Sequence, residues 1–340
     1  MTDHGDSRAV LVTGGAGYIG SHTAKALARA GFEPVVLDNL SNGHEWAVRW
    51  GPFVRGDLAD RGLLADVFRA RRIGAVIHLA ANAYVGESML LPRKYFRNNV
   101  VHTLHLLDAM LDARVPHLVF SSSCAVYGEP RELPITEEHS TQPISPYGES
   151  KLFVEKVLRW YAGAYPLRFA ALRYFNASGA DAEGEVGEVH DPETHVLPLV
   201  MQTALGERPE FAIFGSDYPT PDGSAIRDYI HVTDIADAHV RALRYLREGG
   251  ANAVLNLGTG AGSSVREVVA EVESVGGRKV NVRTAARRPG DPAELVASGS
   301  LASAVLGWRP RHSALRTIVE TAWRWHASLA SGGPPPPARR

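Results

Sequence analysis

The stretch that decides the fold is AVLVTGGAGYIGSHTAKALARAG, residues 9–31. Its first four residues are an unbroken apolar run closed by Thr13, as a strand buried on both faces requires. Gly14, Gly17 and Gly20 follow at intervals of three, and a helical pattern covers 18–30. Glycines so placed permit a tight turn, a close backbone approach and a close helix–strand contact. Together they aim a helix N-terminus at a pyrophosphate. A second run, PVVLD (34–38), ends in Asp38, 18 residues past Gly20. An acid there accepts a hydrogen bond from a ribose 2′-hydroxyl and repels a 2′-phosphate, so the pattern predicts NAD rather than NADP. In GDL (56–58), Asp57 is either an adenine contact or the cap of the next helix.

Further along, AVIHLA (75–80), HLVFSSS (117–123), RFAALRY (168–174) and AVLNLGTG (253–260) read as buried strands. Helical patterns cover 60–71, 92–113 and 146–163. Such alternation predicts an α/β fold, a Rossmann-type doubly wound parallel sheet, with a smaller mixed α/β substrate lobe. The expected division is a dinucleotide domain at 8–176, to which 228–262 return, and a lobe made of 177–227 and 263–328. SSVREVVAEVE (263–273) carries a capping box, Ser264 with Glu267. ASGADAEGEVGEVHDPETHV (177–196) is acidic and glycine-rich and reads as a loop, either a solvated connector or part of a binding surface. Residues 1–7 and the Gly/Pro-rich 331–340 read as disordered tails.

The chain is 45% hydrophobic with a net charge of −1, so no basic excess points to nucleic acid or an anionic membrane. No stretch nears the ~18 apolar residues of a membrane span. The polar start, MTDHGDSRAV, lacks the apolar core of a signal peptide. A single cysteine, Cys124, fits a reducing compartment, and the expected location is the cytoplasm.

The chemistry is read from two segments. HLVFSSS ends in Ser121, Ser122 and Ser123, and strand carboxyl ends in such sheets face the ligand crevice. SPYGESK then places Tyr147 and Lys151 four apart, on one helix face. A free tyrosine has a pKa of about 10, so a phenolate at neutral pH needs a depression of ~3 units, or ~4 kcal/mol. A nearby ammonium supplies ~1–3 units, and an oxidised nicotinamide adds a second positive charge. The expectation is that Tyr147 removes a proton from a hydroxyl as hydride leaves its carbon, while a serine orients the same oxygen. No metal is expected. The fourteen histidines are scattered, and His102 with His105 lacks a third ligand. Cys124 has no basic partner to make it a nucleophile. Trp323 and Trp325 read as packing or surface residues.

TGGAGYIG, HLAA, SSS…VYGE, SPYGESK and RYFN resemble the extended short-chain dehydrogenase/reductase superfamily. LDNLSNG, VGES, RNNV, LRYFNASGA, IFGSDYPTPDGSAIRDYIHVTDIADAH and RRPGDPA resemble, almost segment by segment over 9–326, its UDP-galactose 4-epimerase family. The resemblance implies an NAD-dependent 4-epimerase that interconverts UDP-galactose and UDP-glucose through a transient 4-keto sugar. It implies Tyr147, Lys151 and Ser123 as catalytic residues. Implied NAD contacts are Gly14, Gly17, Tyr18, Ile19 and Gly20 in the turn, and Asp38, Asn39, Asp57 and Leu58 after the second strand. Leu79, Ala80, Asn98, Ser121 and Tyr174, with Tyr147 and Lys151, complete them. Implied UDP-sugar contacts are Ser123, Tyr147, Asn176, His195, Val196, Arg227, Tyr229, Arg288, Asp291 and Leu295. Arginines also suit a diphosphate as forked cationic donors. A homodimer formed through 92–113 and 146–163 is implied as well.

Several positions depart from the family pattern. Ala83 replaces a lysine of some relatives, His102 a usual glycine and His195 an asparagine, while Leu295 stands at a variable gate. These leave selectivity among UDP-galactose, UDP-N-acetylhexosamines and UDP-pentoses such as arabinose or xylose open. A nucleotide-sugar dehydratase would carry Asp-Glu after the serine, where this chain has Cys124 and Ala125. A redox-silent NAD-binding regulator would lack the tyrosine or the lysine, and both are present.

Overall fold

The computed structural model describes residues 7–288 and 291–332. Six strands come first: β1 (Ala9–Thr13), β2 (Glu33–Asp38), β3 (Phe53–Arg55), β4 (Ala75–His78), β5 (His117–Ser121) and β6 (Arg168–Tyr174). Four short strands intervene, β7 (Asn176–Ser178), β8 (Phe211–Phe214), β9 (Ile226–Arg227) and β10 (Tyr229–His231), before β11 (Ala253–Leu257). Three more follow: β12 (Ser263–Ser264), β13 (Val282–Ala285) and β14 (Glu294–Leu295). The main sheet has seven strands in the order β11-β6-β5-β4-β1-β2-β3. Every pairing in it is parallel. Strand order reverses at β1, between β2 and β4, so the carboxyl ends of β1 and β4 border a crevice.

The helices are α1 (Tyr18–Arg29), α2 (Arg61–Arg71), α3 (Val85–Leu90), α4 (Pro92–Tyr95), α5 (His102–Asp112) and α6 (Pro146–Ala164). In the second half come α7 (Val196–Leu205), α8 (Val232–Arg247), α9 (Val265–Gly276), α10 (Ser300–Leu306) and α11 (Leu315–Ala330). The unbroken apolar strands have a direct cause. Val10, Val12, Ile77, Val119 and Leu172 pack on one sheet face with Leu27 of α1 and Ile235 and Leu243 of α8. Leu11, Val76, Leu118, Phe120 and Phe169 pack on the other with Leu64 of α2, Leu106 of α5 and Leu158 of α6. Alternate residues point to opposite faces, and both faces are covered. Burying each such side chain contributes about 1.5–3 kcal/mol, and Leu11→Ala in the interior strand β1 would cost about 2–5 kcal/mol.

A separate cluster in the second half joins α7, α9 and α11 through Leu197, Met201, Val268, Val272, Ile318 and Val319. β8 and β13 pair beside it. The predicted capping box forms: the Ser264 hydroxyl accepts from the Glu267 N–H, and the Glu267 carboxylate accepts from the Ser264 N–H.

Three expectations are corrected. The helix expected over 92–113 is interrupted by a π-helical turn, Phe96–Val101, between α4 and α5. The loop over 177–196 is no solvated connector. β7 pairs in parallel with β10, Ala180 and Val186 are fully buried, and Asp181 binds Lys25 Nζ at 2.7 Å. The expected tails lie mostly outside the described residues, but Ser7 is held: its hydroxyl accepts from the Ala9 N–H at 3.2 Å. Among the described residues no helix is long and apolar enough to cross a membrane.

Candidate active site

The turn after β1 is closed tightly against the end of β4. Gly14 adopts φ +72°, and a Cβ there would lie 2.6 Å from the Ala80 nitrogen. A Cβ at Gly20 would lie 2.1 Å from the Gly14 carbonyl oxygen. Neither position tolerates a side chain, so the turn holds backbone N–H groups at the α1 N-terminus, where Gly17 is the cap residue. Tyr18 opens α1 and its hydroxyl donates to the Gly179 carbonyl at 2.6 Å. Ile19, Leu79 and Ala80 are half-buried around the turn.

Asp38 ends β2 and is nearly buried. Its two carboxylate oxygens accept from the Ala16 N–H (3.0 Å) and the Leu40 N–H (2.8 Å). Burial pushes its carboxyl up from the ordinary range, while those two donors oppose the shift. Each oxygen keeps a free lone pair, which is what a ribose hydroxyl requires. Asn39 donates to Asp57 at 2.6 Å. Asp60, not Asp57, caps α2 by accepting from the Leu63 N–H. That frees Asp57 from the capping role and leaves it beside Asn39, with Leu58 buried next to it. A dinucleotide fits these residues: bare backbone at the turn after β1, then an anionic acceptor at the end of the neighbouring strand β2.

The β5 end gathers Ser121 and Ser123 with Tyr147 and Lys151 of α6. Ser145 caps α6 by accepting from the Gly148 N–H, and Pro146 fixes the first turn. This start delivers Tyr147 and Lys151 to the sheet edge. Lys151 is buried, and its Nζ donates to the Ser121 carbonyl at 2.8 Å. It lies 5.9 Å from the Tyr147 ring centroid. Ser123 hydrogen-bonds the Tyr147 phenol, and its Oγ also accepts from the Ala125 N–H. Ser121 shares a short hydrogen bond with the Tyr174 hydroxyl.

The expected acidification of Tyr147 by Lys151 is not seen in the protein alone. Burial raises the Tyr147 phenol above its ordinary value, and the Ser123 bond only partly offsets this. Burial lowers Lys151 to about 7. Desolvation therefore outweighs the one hydrogen bond that opposes it at Tyr147.

The second half brings another set together. Arg227 on β9 pairs with Asp291, and β14 lies in parallel register so that Leu295 faces Arg227. Tyr229 is the register partner of Asn176 across β10 and β7. The Tyr229 hydroxyl is buried without a hydrogen-bond partner, and burial pushes it up to about 12. An orphaned donor near Arg227 and Asp291 suits an anionic oxygen. Arg288 stacks 4.0 Å from the Phe214 ring centroid. His195 is the cap residue of α7, which begins at Val196. Asn98 lies in the π turn and donates to Asn99 at 3.0 Å.

Residues 10–258 match the model of the NAD dependent epimerase/dehydratase family. The chain belongs to that family. The UDP-glucose 4-epimerase of Rhizobium meliloti (strain 1021) is 51% identical over 95% of this chain and 98% of its own. A crystal structure of UDP-glucose 4-epimerase from Brucella ovis in complex with NAD superimposes with a TM-score of 0.92. It is 54% identical and covers 93% of this chain and 97% of that one. The enzyme of Stenotrophomonas maltophila, with bound NAD and formylated UDP-arabinopyranose, matches with a TM-score of 0.92 and 43% identity, over 95% of this chain and 99% of that one.

In this epimerase/dehydratase chain the sequence reading missed several groups behind the site. Asn99, in the π turn, donates to the Asn82 carbonyl and to Ser150 on α6, both at 3.0 Å. It ties the β4 end to the helix that carries Tyr147. Glu155, one turn past Lys151, accepts from Ser122 (2.6 Å) and from Arg173 on β6 (2.8 Å). That buried pair anchors α6 to β5 and β6. RNNV and ESKLFVE contained these residues, but only the fold reveals their partners. Cys124 is buried and its thiol is pushed up, away from nucleophile chemistry. Trp325 packs in the interior, where its N–H donates to the Glu188 carbonyl at 3.0 Å. His102 stacks on His105 and lies 3.4 Å from Asp57; among the described residues no metal-ligand group includes either histidine. The second-half loop does gather Glu188, His190, Glu193 and His195.

Proposed function

We propose that the protein is an NAD-dependent 4-epimerase that interconverts UDP-galactose and UDP-glucose. The observation that carries this reading is the trio of buried Ser123, half-buried Tyr147 and buried Lys151 at the sheet edge that holds the glycine turn and Asp38. The dinucleotide domain is 8–176 with 228–262, and the sugar-nucleotide lobe is 177–227 with 263–328. NAD, when bound, supplies a reversible hydride acceptor and an added positive charge.

The chain's own residues supply the acid–base chemistry. Tyr147 takes the proton of the sugar 4-hydroxyl and returns it after the 4-keto sugar has turned over in the pocket. Ser123 orients the same oxygen. Lys151, held by the Ser121 carbonyl, keeps its Nζ near the phenol and the ribose. Asp38 accepts from the ribose hydroxyls and rejects a 2′-phosphate. Gly14, Gly17, Tyr18, Ile19 and Gly20 line the pyrophosphate. Asn39, Asp57 and Leu58 lie at the adenine end, and Leu79, Ala80, Asn98, Ser121 and Tyr174 flank the nicotinamide end. Arg227, Arg288 and the Tyr229 hydroxyl hold the diphosphate, with Asn176, His195, Val196, Asp291 and Leu295 around the nucleotide sugar.

The exposed apolar residues Leu90 (81%), Phe96 (37%), Phe153 (45%) and Trp160 (80%) lie on or beside the helices named for a homodimer and support that assembly. The reading places the enzyme in the cytoplasm, with its nucleotide substrates.

The test is to incubate the purified protein with UDP-galactose, without added NAD, and follow UDP-glucose by NMR. Parallel incubations with UDP-N-acetylgalactosamine and UDP-arabinose rank the sugars. Equilibration of UDP-galactose, at the highest rate of the three, is expected. No 4-epimer from UDP-galactose, with NAD present and the fold intact, would overturn the assignment.

A further inference from the structure

The loop that leads into α7 brings four metal-ligand side chains to one point. Glu188, His190, Glu193 and His195 each place one ligand atom within 4.8 Å of the others. His195 Nδ1 lies 3.0 Å from Glu188 Oε1 and 3.0 Å from Glu193 Oε1. His190 Nδ1 lies 3.3 Å from Glu188 Oε1 and 3.5 Å from Glu193 Oε2. Each nitrogen thus sits between the two carboxylates. A single N–H points along one line and serves one such acceptor well, not two. His190 Nδ1 is buried and makes no well-formed hydrogen bond. His195 Nδ1 does hydrogen-bond Glu193 Oε1, but His190 Nδ1 is left without such a bond, and the four ligand atoms crowd together as a coordination sphere requires.

Charge and rigidity point the same way. The Glu188 and Glu193 side chains are only 4% and 5% exposed. Two buried carboxylates require two compensating positive charges. One divalent cation with two neutral imidazoles supplies them. The backbone around the cluster is already fixed. Trp325 donates to the Glu188 carbonyl, and His44 Nε2 lies 3.1 Å from the Val189 carbonyl oxygen. Glu193 accepts from the Thr194 and His195 N–H groups at 2.7 and 2.8 Å.

We propose that Glu188, His190, Glu193 and His195 bind one divalent transition-metal ion. Zinc is the best match to a tetrahedral set of two nitrogens and two oxygens, and the imidazoles disfavour calcium or magnesium. With four protein ligands the site has no open position, so the ion is structural. It pins the loop at the start of α7, where His195 and Val196 meet the nucleotide sugar; that last role rests on the proposed epimerase reading.

The experiment uses tag-free, full-length protein, stripped with a chelator and dialysed against Zn²⁺ or Co²⁺. Bound metal is counted by mass spectrometry, and the visible d–d bands of Co²⁺ report four-coordinate nitrogen and oxygen ligands. The expected result is about one equivalent per chain, with the affinity lowered at least ~10-fold in His190→Gln and in Glu188→Gln. Circular dichroism and NAD content identify variants that stay folded; if Glu188→Gln does not, His190→Gln decides. Weak, equal metal uptake by wild type and the folded variants would show an ion-pair cluster and overturn the site. Metal counting needs no turnover, so its failure is separate from failure of the 4-epimerase assay.

Discussion

The glycine turn between β1 and α1 and the pocket around Arg227 are built in opposite ways. The turn is made by consecutive residues, and its geometry is fixed by backbone contacts that leave no room for a Cβ at Gly14 or Gly20. The Arg227 pocket is assembled from β7, β9, β10 and β14, strands of two or three residues drawn from distant parts of the chain. Its groups are fixed by charge and side-chain hydrogen bonds. The first should fail sterically, all at once. The second should fail by degrees, as single partners are lost.

The largest effect should come from a group that belongs to neither. Tyr147→Phe removes one oxygen from a half-buried ring and leaves both regions in place. Turnover of UDP-galactose should fall about 10²–10⁴-fold while NAD content stays at the wild-type level. Retained turnover would remove Tyr147 from the chemistry. Gly20→Ala then attacks the turn itself. Its Cβ would meet the Gly14 carbonyl oxygen at 2.1 Å. Urea unfolding should show a loss on the order of 3–5 kcal/mol, with NAD lost from the purified protein. A variant that keeps both stability and NAD would show that the turn can shift, and the contrast with the second pocket would vanish.

The same contrast explains what the sequence disclosed. β1, β2, β5 and β6 could be placed within a residue or two because apolar runs and helical periods are local signals. Gly14, Asp38, Tyr147 and Lys151 were legible because chemistry fixes their spacing along the chain. The Tyr229 orphan hydroxyl and the Arg227–Asp291 pair depend on register between short strands, which no local pattern encodes. The acidic loop illustrates the limit: its composition suggested solvent, yet Asp181 pairs with Lys25 and Glu188 is buried. Tyr147 also shows that placement and electrostatics are separate problems. Its helix face was predicted, but the rise that burial imposes on the phenol needed the surroundings of the site.

Arg227→Leu tests the second mode of failure. It removes one partner of Asp291 and one cation proposed for the diphosphate. The value of kcat/KM should fall about 10²-fold, chiefly through KM, with NAD content unchanged. Calorimetry with UDP would show the matching loss of affinity. If kcat fell instead and UDP bound as before, Arg227 would act on the reacting carbon's side and not on the diphosphate.

The smallest effect lies next door, at Asp228. Its carboxylate accepts from the Thr259 N–H (3.0 Å), the Thr259 hydroxyl (2.6 Å) and the Ala297 N–H (3.2 Å). Burial still outweighs these donors and pushes the carboxyl up to about 6. An unfolded aspartate titrates near 3.9, so the folded state holds this proton more tightly. The stability it contributes is complete below about pH 4 and is lost as pH rises through about 6. Asp228→Asn cannot titrate. The stability of wild type relative to this variant, measured by urea unfolding, should therefore fall by about 1–2 kcal/mol between about pH 4.5 and about pH 7.5. A difference that stays constant would mean that the three donors keep the carboxylate ionised across the range. The Arg227 pocket would then be as firmly set by its hydrogen bonds as the glycine turn is by its backbone.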